Sequence, residues 1–178
     1  LRGPVMNAFG LNRLRASALP SLWLALIWVV ADQVTKVWAE THLMVGEPVA
    51  VWPHLNWTLA YNYGAAFSFL ADHDGWQTWF FSILALVVSV ALIIWLARLP
   101  RGWSTEVVGL NLILGGAIGN VIDRIQAGRV TDFIDFYIGS WHYATFNIAD
   151  IAISLGAFLL ILSEFWLKPR AQKRKAQA

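Results

Sequence analysis

The chain has 178 residues, of which 58% are hydrophobic and only 13% charged, with a formal charge of +2 and no cysteine. The missing cysteine excludes disulfides, thiol nucleophiles and cysteine metal sites together. The basic residues gather at the chain ends with no stripe of interleaved aromatics, which speaks against a nucleic-acid partner. A mean hydropathy of +0.56 and eleven tryptophans instead point to a lipid environment, since indoles favour membrane–water boundaries.

Residues 1–5 precede Met6 and are expected to be a remnant outside the fold, with residues 6–170 forming one four-span membrane unit and 171–178 a basic cytoplasmic tail. The fold class expected is an all-α membrane protein with a small extracytoplasmic β-sheet and a short interfacial helix. About 20 apolar residues cross the hydrocarbon of a bilayer. The first run meeting that length covers about 19–38 and is interrupted late by Asp32 and Lys36. Arg13 and Arg15 ahead of it also suit a cleaved leader, but the polar Asp32-Gln33-Val34-Thr35-Lys36 follows at once and three further runs come after. Asp32 and Lys36 stand at i, i+4, where an embedded acid and base most simply neutralise each other as a structural ion pair.

The connection over about 43–74 is expected to be β-rich. Leu55, Trp57, Leu59 and Tyr61 alternate with Asn56, Thr58, Ala60 and Asn62, a half-buried strand pattern, and Pro48 to Trp52 can supply a partner strand. The aromatic face suits sheet packing first, with lipid contact or an extended peptide as the alternatives. Asn62-Tyr63-Gly64-Ala65-Ala66-Phe67 follows, in which Gly64 permits a turn and Asn62 carries an amide able to meet a carbonyl or a carboxylate. Ala65 to Asp72 suit a short interfacial helix.

The second span is expected over about 75–97 and the third over about 107–125. Gly115-Gly116-Ala117-Ile118-Gly119 lacks a following Lys-Ser/Thr, so it is no phosphate loop and suits close helix packing instead. Asn120, Asp123 and Arg124 share one helix face, read either as a capping ion pair or as a fork for a substrate carbonyl or lipid phosphate. The connection over about 126–146 holds Asp132 in a less regular stretch, with Asp135 as its rival. The fourth span, about 147–167, begins with Asn147 and Asp150 on one face and Ser154 a turn further on.

Lysine and arginine give the orientation. The connection 40–74 has neither, and the connection 126–146 has only Arg129, whereas Arg98 and Arg101 lie between spans two and three. Both termini are therefore expected in the cytoplasm and both long connections outside. Asp123, Asp132 and Asp150 then collect near the outer leaflet. Intramembrane acids are kept at a cost and mark function, and two acids sharing one proton can activate water. No histidine falls in a span, no Gly-x-Ser-x-Gly occurs, and the four histidines lack metalloprotease spacing. No metal or cofactor is expected. A proton-coupled transporter and a non-enzymatic assembly factor are the competing readings; the first suffers from acids lying at one surface without an internal repeat.

Five motifs, Asp32 to Lys36, Asn62 to Phe67, Gly119 to Arg124, Val130 to Phe133 and Phe146 to Asp150, stand in an order that resembles the bacterial lipoprotein signal peptidases, the type II enzymes. The resemblance implies an intramembrane aspartyl endopeptidase whose catalytic pair is Asp132 and Asp150, displacing Asp135. It implies removal of signal peptides from diacylglyceryl-modified prolipoproteins, with cleavage just before the lipidated cysteine. It further implies a multi-pass protein of the bacterial inner membrane that works as a monomer among lipids and binds cyclic peptides such as globomycin. Asn62, Gly64, Asn120, Arg124 and Asn147 would hold substrate or support the pair, and Asp123 would support Arg124.

Overall fold

A computed structural model describes residues 16–64 and 76–170. Helix α1 (Leu22–His42) is entered through a single 3₁₀ turn carrying Pro20, whose fixed φ suits a helix start. Strands β1 (Val49–Trp52) and β2 (Leu55–Asn62) follow, then α2 (Trp76–Arg98) and α3 (Thr105–Ala127). Strands β3 (Val130–Ile138) and β4 (Trp141–His142) lead to α4 (Ile148–Leu162), whose last turns continue as a π-helix over Ser163–Leu167. Four helical stretches, Leu19–His42, Trp76–Arg98, Thr105–Ala127 and Ile148–Arg170, are long and apolar enough to cross a membrane. The expected interfacial helix over Ala65 to Asp72 lies outside the described residues, as do Arg13, Arg15 and the tail.

The helices are built inside out relative to a soluble bundle. In α1 the exposed side carries Trp23, Leu26, Ile27, Val30, Val34 and Val37, while the buried residues are Ala25, Asp32, Lys36 and Ala39. Lipid is as apolar as leucine, so close packing and polar bonds, and not apolar burial, join the spans. Helix α3 is the central element, packed against α1, α2 and α4 and buried along most of its length. Its glycines make that approach possible. A Cβ on Gly116 would stand 2.4 Å from the carbonyl oxygen of Ala149, and one on Gly119 would stand 2.5 Å from Asp32 Oδ2. Gly109 and Gly156 face each other in the same way between α3 and α4. The apolar core at the other end of the bundle gathers Leu92, Leu96, Val107, Leu110 and Leu114.

The four strands form one antiparallel sheet in the order β1-β2-β3-β4. Asp132 therefore belongs to a regular strand, opposite Ala60, and not to an irregular stretch. Val130 to Asp135 are all buried, because β3 is covered by β2, β4 and the helix ends, and such a strand shows no alternation. The alternation expected for β2 is also broken. Its register shifts between Trp57 and Ala60, and its two buried residues are Asn56 and Leu59. Leu59 joins Ala39, Phe133 and Ile134 in a second core, with Leu55, Trp57 and Tyr61 packed against it. The aromatic face of β2 is thus sheet packing, and Trp57 meets both Trp38 and Phe133.

Candidate active site

The site forms where β3, the C-terminal end of α3 and the first turn of α4 converge. Asn147 is the N-cap of α4, and its side-chain oxygen accepts from the Asp150 amide at 2.9 Å. Asp150 answers by accepting from the Asn147 amide at 3.2 Å, which closes a reciprocal capping box. The cap leaves the Asn147 amide nitrogen free to reach across to β3, where it donates to Asp132 Oδ1 at 2.7 Å and to the Thr131 carbonyl at 3.3 Å. One asparagine therefore holds both carboxylates. Asn120 completes the ring: its nitrogen donates to Asp150 Oδ1 at 3.0 Å and its oxygen accepts from Asn147 at 3.1 Å.

Asp132 is only 3% exposed. Burial pushes its carboxyl up to about 7, the negative charge of Asp150 adds to the rise, and Asn147, Lys36 and Asn62 draw it partly back. Asp150 lies at a helix N-terminus, where free N–H groups and the helix dipole stabilise an anion. An apolar cleft of about 390 Å³ opens beside Asp150, lined also by Tyr143, Phe146, Ile151, Ser154 and Leu155.

Behind the ring lies a buried ionic cluster. Lys36 contacts Asp32 and Asp123, each at 2.8 Å, and donates to Asn120 Oδ1 at 2.9 Å. The expected pair of Asp32 and Lys36 is present, and Asp32 also accepts from the Ala149 amide in the first turn of α4 at 2.9 Å. The Asp123 carboxylate bonds to Lys36 at 2.8 Å, to Gln33 at 2.9 Å and to the Thr131 amide at 3.1 Å, and reaches Arg124 through its charge. Adjacent residues on a helix point about 100° apart, so these direct bonds go elsewhere than to the next residue.

Arg124 has one long bond, to the Asn120 carbonyl at 3.5 Å, and lies over the Phe81 ring at 5.6 Å. Its charge interacts with Asp150, Asp123 and Asp132, and it lines a second cleft of about 310 Å³ with Thr78, Trp79, Ser82, Ile125 and Gly128. Gly64 has φ +93°, and a Cβ there would stand 3.1 Å from the Phe81 ring, so the turn after β2 seats on α2 only with glycine. Within that turn Asn62 accepts from the Gly64 amide at 2.9 Å.

Asp135 is engaged elsewhere. Burial opposes its charge, but bonds from His142, Asn56 and Thr58 prevail and hold its carboxyl below the usual carboxylate range. Gln33, Thr131 and Glu40 are participants that residue type alone did not single out; Thr131 donates its hydroxyl to Glu40 at 2.8 Å. Among the described residues no group of three or more His, Asp or Glu side chains could hold a metal.

The sequence profile of the signal peptidase (SPase) II family matches residues 24–166. The chain is 69% identical over 164 residues to the lipoprotein signal peptidase of Hydrogenovibrio crunogenus, covering 92% of this chain and 95% of the relative. It is 52% identical over 145 residues to the lipoprotein signal peptidase of Coxiella burnetii, covering 82% and 89%. A solved bacterial membrane enzyme superposes with a TM-score of 0.73 at 35% identity, covering 86% of this chain and 91% of that one.

Proposed function

The chain belongs to the signal peptidase II family, and on that premise we propose that Asp132 and Asp150 together activate the water that cuts its substrates. It is a multi-pass membrane protein and an aspartic peptidase that cleaves lipoprotein signal peptides. The observation that carries the assignment of the pair is Asn147, bonded through its side chain to Asp132 and through its main chain to Asp150. Two carboxyls held by one residue and repelling each other do not both ionise near neutral pH.

The proton resides on Asp132, which is buried and raised, while Asp150 serves as the base. A water between them gives its proton to Asp150 as its oxygen attacks the scissile carbonyl. Asp132 donates a hydrogen bond to that carbonyl and then its proton, giving a gem-diol; the C–N bond breaks as the amine takes the proton Asp150 had accepted, and Asp132 recovers a proton from the diol as the carboxyl product forms. The chemistry is general acid–base and needs no covalent intermediate. Arg124 and Asn62 orient the substrate backbone, and the cleft beside Asp150 takes its apolar side.

The substrate is a diacylglyceryl-modified prolipoprotein cut just before its lipidated cysteine, and a cyclic peptide such as globomycin competes for the same site. The protein works as a monomer in the bacterial inner membrane, with both termini cytoplasmic and the pair near the outer face. Purified protein in liposomes should process a lipidated precursor and leave the unlipidated one intact. Equal processing of both would remove the lipid from the recognition.

A further inference from the structure

Lys36 is 3% exposed, and its ammonium has three acceptors: Asp32 and Asp123 at 2.8 Å each and Asn120 Oδ1 at 2.9 Å. An ammonium has three donors, so every one is engaged. Ion pairing explains the contacts to the two carboxylates and leaves the third bond unexplained. That bond reaches the amide whose opposite end donates to the Asp150 carboxylate.

An asparagine amide can lie either way round, and its surroundings decide. Asn120 Oδ1 faces two donors, Lys36 and the Asn147 amide at 3.1 Å, while its nitrogen faces the Asp150 carboxylate at 3.0 Å. Reversed, it would set donor against donor twice and an oxygen against a carboxylate. Lys36 supplies the charged, and therefore stronger, of the two constraints. The Asn120 oxygen so fixed also receives the Asn147 nitrogen that holds Asp132. Both carboxyls are thus reached from one cation through one amide.

We propose that Lys36 is a positioning residue for the catalytic pair, orienting the Asn120 amide so that Asp150 and, through Asn147, Asp132 are presented to the water. The inference rests on the Asp132–Asp150 reading above and deepens it. The charged groups acting on Asp132 are Lys36 from α1, Arg124 from α3 and Asp150 from α4, with β2 contributing the neutral Asn62. Of the Asp32–Lys36 pair, Lys36 is the member whose charge acts on Asp132, and it acts against protonation.

The test compares Asp32→Asn/Lys36→Met with Asp32→Asn/Lys36→Gln in liposomes, using a diacylglyceryl-modified precursor peptide. Each variant removes one charge of each sign, so the cluster keeps its net charge, and Asp123 loses the Lys36 contact equally in both. The Met variant should lose about tenfold or more in kcat at unchanged KM, the scale of a misplaced general acid–base group. The alkaline limb of its pH–rate profile should move upward, because Asp132 keeps its proton longer. Gln can still donate to Asn120, so that variant should regain about fivefold of the lost kcat while keeping the displaced limb. Wild-type kcat and an unmoved limb in the Met variant would overturn the proposal, as would equal rates in the two variants. If the Met variant fails to fold, the Gln variant decides: a displaced limb supports the role and an unmoved one overturns it. Asp132→Asn and Asp150→Asn run alongside, and cleavage by either sinks the pair itself whatever Lys36 does.

Discussion

Asn147 donates its side-chain amide to Asp132 at 2.7 Å from the N-cap of the very helix whose first turn carries Asp150. The capping geometry that starts α4 and the geometry that joins the two acids are one arrangement. The pair is therefore as well ordered as the helix start.

Exchanging either acid for its amide tests the pair directly. Asp132→Asn and Asp150→Asn keep shape and most hydrogen bonds, so the fold should persist while cleavage falls by about 10²–10⁴ or more. Gel-shift of a lipidated precursor in liposomes, with thermal midpoint as the folding control, separates the two effects. Activity surviving in either variant would exclude that residue.

Stability should also depend on pH through Asp132. Its carboxyl is raised from 3.8 to about 7, so between those values the folded protein holds a proton that the unfolded chain releases. The contribution is whole below 3.8 and is lost as pH rises through about 7, with a slope of up to about 1.4 kcal/mol per pH unit. Midpoints measured from pH 4 to 8 should fall less steeply in Asp132→Asn than in the unaltered protein. Parallel curves would mean that Asp132 does not titrate as assigned.

Gly116→Ala should damage both fold and activity. The added methyl meets the Ala149 carbonyl at 2.4 Å, and backbone cannot swing aside as a flexible side chain could. Overpacking of this kind costs about 1–3 kcal/mol, and here it also pushes the first turn of α4 away from Asn120. A midpoint unchanged within a degree would show that the helices are not in that contact.

Asp135→Asn serves as the contrasting acid. Its partners are His142, Asn56 and Thr58, none of which touches Asp132 or Asp150. Cleavage should stay within about twofold of normal, as for a site without shared partners. A loss as deep as that of Asp132→Asn would reopen the choice between the two.

Because the chain has no cysteine, orientation is open to single-site labelling. Ser140→Cys, in the β3–β4 turn, should react with an impermeant maleimide on intact spheroplasts. Trp103→Cys, between α2 and α3, should react only after permeabilisation. The reverse result would invert the topology.

Much of this architecture is written locally. The strand over Leu55–Asn62 and the four apolar runs follow from periodicity and length, and the small residues of Gly115 to Gly119 announce close helix contact. The rest is non-local. β3 hides its strand character because acids stand in a segment buried on both faces. Asp123 acts on its neighbour Arg124 through its charge, but its direct salt bridge goes 87 positions upstream by number, to Lys36. The neighbours of Asp135 were implicit in register alone, since pairing β2 with β3 sets Asn56 opposite it.

Helices α3 and α4 are fastened along their whole shared length. Asn120 meets Asp150 at one end, Gly109 meets Gly156 further along, and beyond the π-turn Lys168 reaches Glu106 at 2.9 Å. They form a fixed jaw carrying one acid on its rim and the strand with the other acid rooted directly behind. A precursor too bulky to slip between these helices has to come in from the opposite flank, the side on which α2 packs against α3.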